Sequence, residues 1–280
     1  MHEVAIVGAG ELGGALAHVI ARRDVARTVR LIEDKGRVAE GKALDIAQAA
    51  PVEGFATRLV GSTDPSTAAG AAVIALADRA GGGEWQGEEA LQLVQRLTRS
   101  TQTAVILCAG AAQRDVIELA ARELRVPRTR LLGSAPEALA AGARALVALA
   151  ANASPRDVAL SVLGVPPAHI VIPWEEATLA GFALSRVIDE PTRRRLAARV
   201  SALWPPGPYA LASAATMVIE AMAGRCRRTA SCFVAPDLSA GRRVRTGALP
   251  VRLGPAGIAD VLIPPLSVVE KVALDNAMML

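Results

Sequence analysis

Along the N-terminal half of the chain, short β-branched apolar runs alternate with longer stretches whose apolar positions recur every three to four residues. The first kind reads as buried strands and the second as helices lying on a sheet. Runs at 4–7, 29–32, 57–61, 71–77, 103–108 and 130–133 predict six strands. The patterns over 14–21, 37–50, 87–98 and 116–124 predict helices, with Pro51 ending the second. Ser62-Thr63-Asp64-Pro65 turns into a short helix. Alternation at this length indicates a doubly wound parallel sheet.

Past residue 134 the pattern changes. A long helix over 136–153, a strand ending at Gly164 and an extended 170–174 come first. Helices over 190–203 and 211–223 flank a Pro205-Pro206-Gly207-Pro208 turn, and several strands lie between 229 and 262. The last helix, 267–279, has Ser267 as N-cap and Glu270 completing a capping box. This half reads as mixed α+β.

The first strand feeds Gly8-Ala9-Gly10-Glu11-Leu12-Gly13, and a helix follows at once. In a dinucleotide-binding turn Gly8 permits the tight bend, Gly10 lets the backbone approach a pyrophosphate, and Gly13 lets helix and strand pack closely. Phosphates would sit at the helix N-terminus, where unpaired N–H groups and the helix dipole favour anions. Twenty residues past Gly13 the second strand ends in Glu33, placed to hold the adenosine ribose hydroxyls. The expected class is therefore α/β: a Rossmann-type dinucleotide-binding part, 1–134, and a mixed α+β part, 135–280.

Composition narrows the picture. Hydrophobic residues make up 52% but aromatics only 2%, so the core must be built from small aliphatics. Charges interrupt every long apolar stretch, and no run approaches the roughly 18–20 uncharged residues of a membrane span. No basic-then-apolar leader precedes the first strand, so a cytoplasmic location is expected. The net charge of +4 is carried almost wholly by Arg, with Lys only at positions 35, 42 and 271. The densest basic runs, Arg225-Cys226-Arg227-Arg228 and Arg242-Arg243-Val244-Arg245, lack the interleaved aromatics of a base-stacking platform. Neither a nucleic acid nor a membrane is expected as partner. Cys108, Cys226 and Cys232, with His2, His18 and His169, suit neither a disulfide framework nor a zinc site, and no metal is expected.

Val7-Gly8-Ala9-Gly10, the run from Gly41 to Pro51, Gly61-Ser62-Thr63-Asp64, Arg130-Leu131-Leu132-Gly133-Ser134, Pro173-Trp174 and Pro265-Leu266-Ser267 with Glu270-Lys271 resemble the lactate/malate dehydrogenase family, in particular its malate branch. The resemblance covers the whole chain. It implies a Rossmann domain, a catalytic domain, NAD as cofactor, and a dimer or tetramer with the helix around 41–46 at a subunit interface; a homodimer is expected. It also implies a helix start at Glu175-Glu176, where acids suit the helix dipole.

The family's chemistry uses two arginines on a mobile loop, an Asn that orients substrate, an Asp–His pair that moves the proton, and an Arg that clamps a carboxylate bidentately. On this chain those positions fall on Gly81 and Gly87, Ala111, Leu139 and Pro166, and Gly142. No catalytic residue is therefore expected. Arg79, Arg144 and His169 are the neighbours that could substitute. Asp78 follows the fourth strand where the family has a small residue, and a carboxylate there would repel a pyrophosphate. The expected function is an NAD(H)-binding, catalytically silent relative that grips no small-molecule substrate. The alternatives are a scaffold without ligand and a 2-hydroxy acid oxidoreductase using unfamiliar residues.

Overall fold

The computed structural model describes residues 1–237 and 245–279. In chain order it runs β1 (Glu3–Val7), α1 (Glu11–Arg22), β2 (Thr28–Ile32), α2 (Val38–Glu53), β3 (Arg58–Ser62), β4 (Val73–Leu76), α3 (Gly87–Ser100), β5 (Val105–Cys108), α4 (Arg114–Glu123) and β6 (Leu131–Gly133). It continues with α5 (Ala135–Ala151), β7 (Val158–Ala159), β8 (Leu163–Val165), β9 (His169–Val171), β10 (Thr178–Leu179), β11 (Phe182–Ala183), α6 (Glu190–Ser201), α7 (Pro208–Met222), β12 (Ala230–Val234), β13 (Gly247–Gly254), β14 (Gly257–Val261) and α8 (Val268–Met279).

The first six strands are parallel in the order β3-β2-β1-β4-β5-β6, the doubly wound sheet expected from the alternating pattern. Strand order reverses between β1 and β4, so the loops leaving those strands diverge and open a crevice at their C-terminal ends. The sheet does not stop where the pattern changes. β12 pairs antiparallel with β6, and β13, β8 and β9 extend the sheet, with β14 on β13. A separate sheet joins β11, β10 and β7.

Small side chains let the halves approach closely. α1 turns Leu12, Leu16 and Ile20 inward and also packs on α7, whose Ala212, Ala214 and Ala215 are buried. Burying each leucine or isoleucine contributes roughly 1.5–3 kcal/mol. The largest fully buried side chain is Phe233, which meets Trp204 edge-on at 6.0 Å.

Three expectations need correction or lie out of reach. Pro51 does not end α2; it sits in the last turn, which continues to Glu53 and is closed by Gly54 in the left-handed region. Only the Ala47 carbonyl loses its partner there, at an exposed end, so the helix tolerates the ring. Glu175 and Glu176 begin no helix: they lie in a turn before β10, and Glu175 pairs with Arg193 at 3.0 Å. The basic run at 242–245 falls largely outside the described residues. The capping box at α8 forms as expected, with Ser267 N–H donating to Glu270 Oε2 at 2.9 Å and Glu270 N–H to Ser267 Oγ at 3.3 Å. Among the described residues, no helix is long and apolar enough to cross a membrane.

Candidate functional site

Three loops meet at the C-terminal crest of the parallel sheet, those following β1, β4 and β5. Gly8 N–H donates to the Ile32 carbonyl at 2.8 Å, and Gly10 N–H donates to the Asp78 carbonyl at 2.9 Å. A Cβ on Gly13 would run into the Gly8 carbonyl, so the close packing expected of that glycine is present. The space over Gly10 is another matter. A Cβ there would strike the Asp78 carboxylate, whose Oδ1 accepts the Gly13 N–H at 2.9 Å. Asp78 therefore stands where the glycines would make room for a pyrophosphate. Leu12 is buried in the core, and Glu11 is exposed on the first turn of α1.

Glu33 is only 3% exposed. Its Oε2 accepts two N–H groups, from Ala9 at 2.9 Å and from Ala80 at 2.7 Å, tying the β1 and β4 loops together. Burial alone would raise its pKa, but the N–H groups of Ala9 and Ala80, with Asp34 and Lys35, outweigh this and hold it low. Asp34 beside it is pushed up by its hydrogen bond to Glu33, by burial and by repulsion. Lys42 donates to the Gly10 carbonyl at 2.5 Å and braces the glycine loop from below.

Residues 78–84, where the mobile loop was expected, form a tight hairpin. Arg79 N–H donates to the Gly83 carbonyl at 3.1 Å, and Asp78 bridges Glu84 antiparallel. Glu84 turns onto the β5 loop, where it accepts the N–H groups of Ala111 at 2.9 Å and Ala112 at 2.7 Å. Burial raises its pKa; the two N–H groups oppose that and the Asp78 charge adds to it. Gly81 and Gly87, which stand at the loop arginine positions, have φ of +64° and +56°. An arginine rarely adopts such backbone.

The remaining catalytic positions are apolar. Leu139 is buried among Ala140, Ala143, Val162, Ile172 and Val200. A Cβ on Gly142 would meet the Leu203 side chain. Pro166 lies in the turn between β8 and β9, and Ala111 is buried under Glu84. Nor do the neighbours converge. Arg79 pairs with Glu89 at 2.7 Å and lies over the Trp85 ring. Arg144 pairs with Glu137 and donates to the Leu160 carbonyl, and His169 is exposed on β9.

Sequence reasoning missed two side chains. Glu84 gave a faint signal, an acid ending a glycine-rich loop. Glu137 gave a better one, an acid in an alanine-rich helix with Arg144 two turns on, on the same face. Its other oxygen accepts the Ser231 N–H at 2.8 Å, which joins α5 to β12. Burial raises its pKa against the opposing Arg144 charge. Beside this pair a cleft of about 720 Å³ opens between α5, α7 and the start of β12, lined by Gly142, Arg156 and Arg228 among others.

Residues 2–121 match the family model for the lactate/malate dehydrogenase NAD binding domain. Those residues carry the NAD binding domain of that family. The malate dehydrogenase of Thermomicrobium roseum is 28% identical over 294 residues, covering 98% of this chain and 94% of that protein. The fold is shared with the malate dehydrogenase of Salinibacter ruber, at TM-score 0.84 and 23% identity over 98% of this chain and 93% of that one. It is shared also with a lactate dehydrogenase of Cryptosporidium parvum complexed with lactic acid and NAD, at TM-score 0.85 and 18% identity over 99% and 94%. NAD is thus the cofactor of the domain family to which residues 2–121 belong. The glycine loop and Glu33 suit a dinucleotide in kind. As folded, however, the crest does not admit a pyrophosphate, because Asp78 fills the space over Gly10 and holds the Gly13 N–H.

Proposed function

We propose that this chain is a catalytically silent member of the lactate/malate dehydrogenase family whose ligand is NAD(H), with residues 1–134 as the dinucleotide half and 135–280 as the former substrate half. One observation carries the reading. The positions the chemistry needs hold Gly81, Gly87, Ala111, Leu139, Gly142 and Pro166, while the two candidate arginines are bonded elsewhere. None of the six residues at those positions can move a proton or clamp a carboxylate. The test is oxaloacetate- or pyruvate-dependent NADH oxidation at high protein concentration, with no turnover expected. A rate in the ordinary range of about 1–10³ per second would overturn the proposal.

Gly8, Ala9, Gly10, Glu11, Leu12, Gly13 and Glu33 are the proposed cofactor-binding residues. Glu33 favours a free 2′-hydroxyl over a 2′-phosphate, so calorimetry should show NADH preferred to NADPH. A homodimer in the cytoplasm completes the reading. α2 exposes Leu44 and Val52, apolar surface that a second copy would cover, and light scattering at micromolar concentration reads the assembly directly. The ligand-free scaffold is the second reading, and the closed crest is the observation that favours it.

A further inference from the structure

Five backbone N–H groups at the crest are held by three of the chain's own carboxylates. Glu33 takes those of Ala9 and Ala80, Asp78 that of Gly13, and Glu84 those of Ala111 and Ala112. Converging N–H groups at loop ends and at a helix N-terminus are what anions bind. Here internal anions have them. Two of the three carboxylates stand at the ends of one hairpin, 78–84, and Ala80 at its shoulder is tied down by the third. Arg79 braces the hairpin against α3 through Glu89 and stacks on Trp85.

We infer that hairpin 78–84 is an internal latch, which holds the dinucleotide groove shut by putting Asp78 and Glu84 where a ligand's anionic oxygens and ribose would lie, so that a dinucleotide binds only when the hairpin lets go. The inference rests on the NAD(H) reading above. It follows from exclusion and charge together. The Asp78 carboxylate and a pyrophosphate cannot share the space over Gly10 or the Gly13 N–H, and both are negative. Glu84 covers Gly110 in the same way: a Cβ there would strike its carboxylate. The two acids form one unit because residues 78 and 84 are bridged, so one releases with the other.

The test uses the full chain as wild type, Asp78→Ala and Glu84→Gln, with two readouts. Amide exchange at Gly13 without nucleotide reports the latch itself, and calorimetry with NADH reports its consequence. Asp78→Ala should speed exchange at Gly13 at least about tenfold, and should lower the NADH dissociation constant by at least about tenfold, the worth of one charge-assisted hydrogen bond. Glu84→Gln should act in the same direction by less, and carries the test if Asp78→Ala does not fold. Unchanged Gly13 exchange in Asp78→Ala overturns the latch whatever NADH does. Faster exchange with equal NADH affinity in both proteins overturns the gating and leaves the NAD(H) reading standing. Faster exchange with no NADH bound by any variant removes the nucleotide as ligand, and the gating falls with it.

Discussion

Leu139 is the position expected from the family resemblance to carry the Asp that orients the histidine, and its surroundings decide what introducing that Asp would do. It is 1% exposed and belongs to an apolar cluster with Ala140, Ala143, Val162, Ile172 and Val200. Truncating such a leucine to alanine costs about 2–5 kcal/mol through lost burial and the cavity left behind. Leu139→Asp loses the same contacts and adds a carboxyl inside an apolar cluster, a further cost of about 1–3 kcal/mol even when protonated and unpaired. The sum, roughly 3–8 kcal/mol, is comparable to the whole stability of an ordinary domain, about 5–15 kcal/mol. Urea denaturation of wild type, Leu139→Ala and Leu139→Asp at pH 5 and pH 8 separates the two parts.

The pH dependence has a definite sign. Burial raises the folded pKa of an Asp at 139 above its unfolded value, so the folded state binds more protons and stability falls as pH rises. The gap between the Asp and Ala variants should therefore widen from pH 5 to pH 8, while Leu139→Ala itself should show no added dependence. Leu139→Asp combined with Pro166→His should remain inactive, because the Asp destabilises the helix meant to present it. If Leu139→Asp lies within about 1 kcal/mol of Leu139→Ala at pH 8, a polar partner reaches position 139 and the reading of it as pure core is wrong.

Glu137→Gln removes one member of a buried ion pair and leaves Arg144, whose side chain is 25% exposed, without its counter-charge. A loss of about 2–4 kcal/mol is expected, less than for a fully buried partner, and a thermal melt unchanged from wild type would refute it. Gly142→Arg, which returns the family's clamp, should destabilise by about 1–3 kcal/mol because Leu203 fills its space, and adding Leu203→Ala should relieve most of that. The carboxyls of Asp24, bonded to the Ala56 N–H, and Glu33 are held low. Their contribution is present above the ordinary carboxylate range and lost as pH falls through the depressed folded values. Glu33→Gln should flatten the acid limb of a stability–pH profile, whereas Glu84→Gln should not, since the Glu84 pKa is raised.

The sheet was legible because its central strands β1, β4 and β5 are buried on both faces and read as apolar runs, and the glycine loop because each glycine has a steric job. The join between β6 and β12 was not. Pairing between Phe233 and Gly133 depends on contacts a hundred residues apart, and nothing in either short run announces its neighbour. At the site, sequence raised the expectation of lost catalytic groups, since an Ala or a Leu at such a position is plain on inspection. It also flagged Asp78 as a repulsive charge. It did not reveal that Asp78 and Glu84 fold inward, because direction depends on hairpin geometry, which three consecutive glycines leave open. Glu33 carries the same lesson: its position was readable, and its capture by Ala80 was not.

The proposed loss of catalytic groups and the proposed latch have one physical cause. An arm that carries arginines to a substrate must open and close, so its N–H groups and those of the loops beneath it stay free for ligand. With Gly81 and Gly87 in place of those arginines, as proposed, nothing requires the arm to travel, and free N–H groups at a sheet crest are a cost that internal carboxylates remove. Each such charge-assisted bond is worth about 1.5–3 kcal/mol. Freeing Gly13, Ala111 and Ala112 together would then oppose a ligand by several kcal/mol, a hundredfold or more in affinity at about 1.4 kcal/mol per tenfold. That exceeds what repulsion from a solvent-facing Asp78 would impose, since one exposed charge pair is worth only about 0–1 kcal/mol. Stability of the crest and access to it are thus set against each other, and in this chain the balance lies with stability.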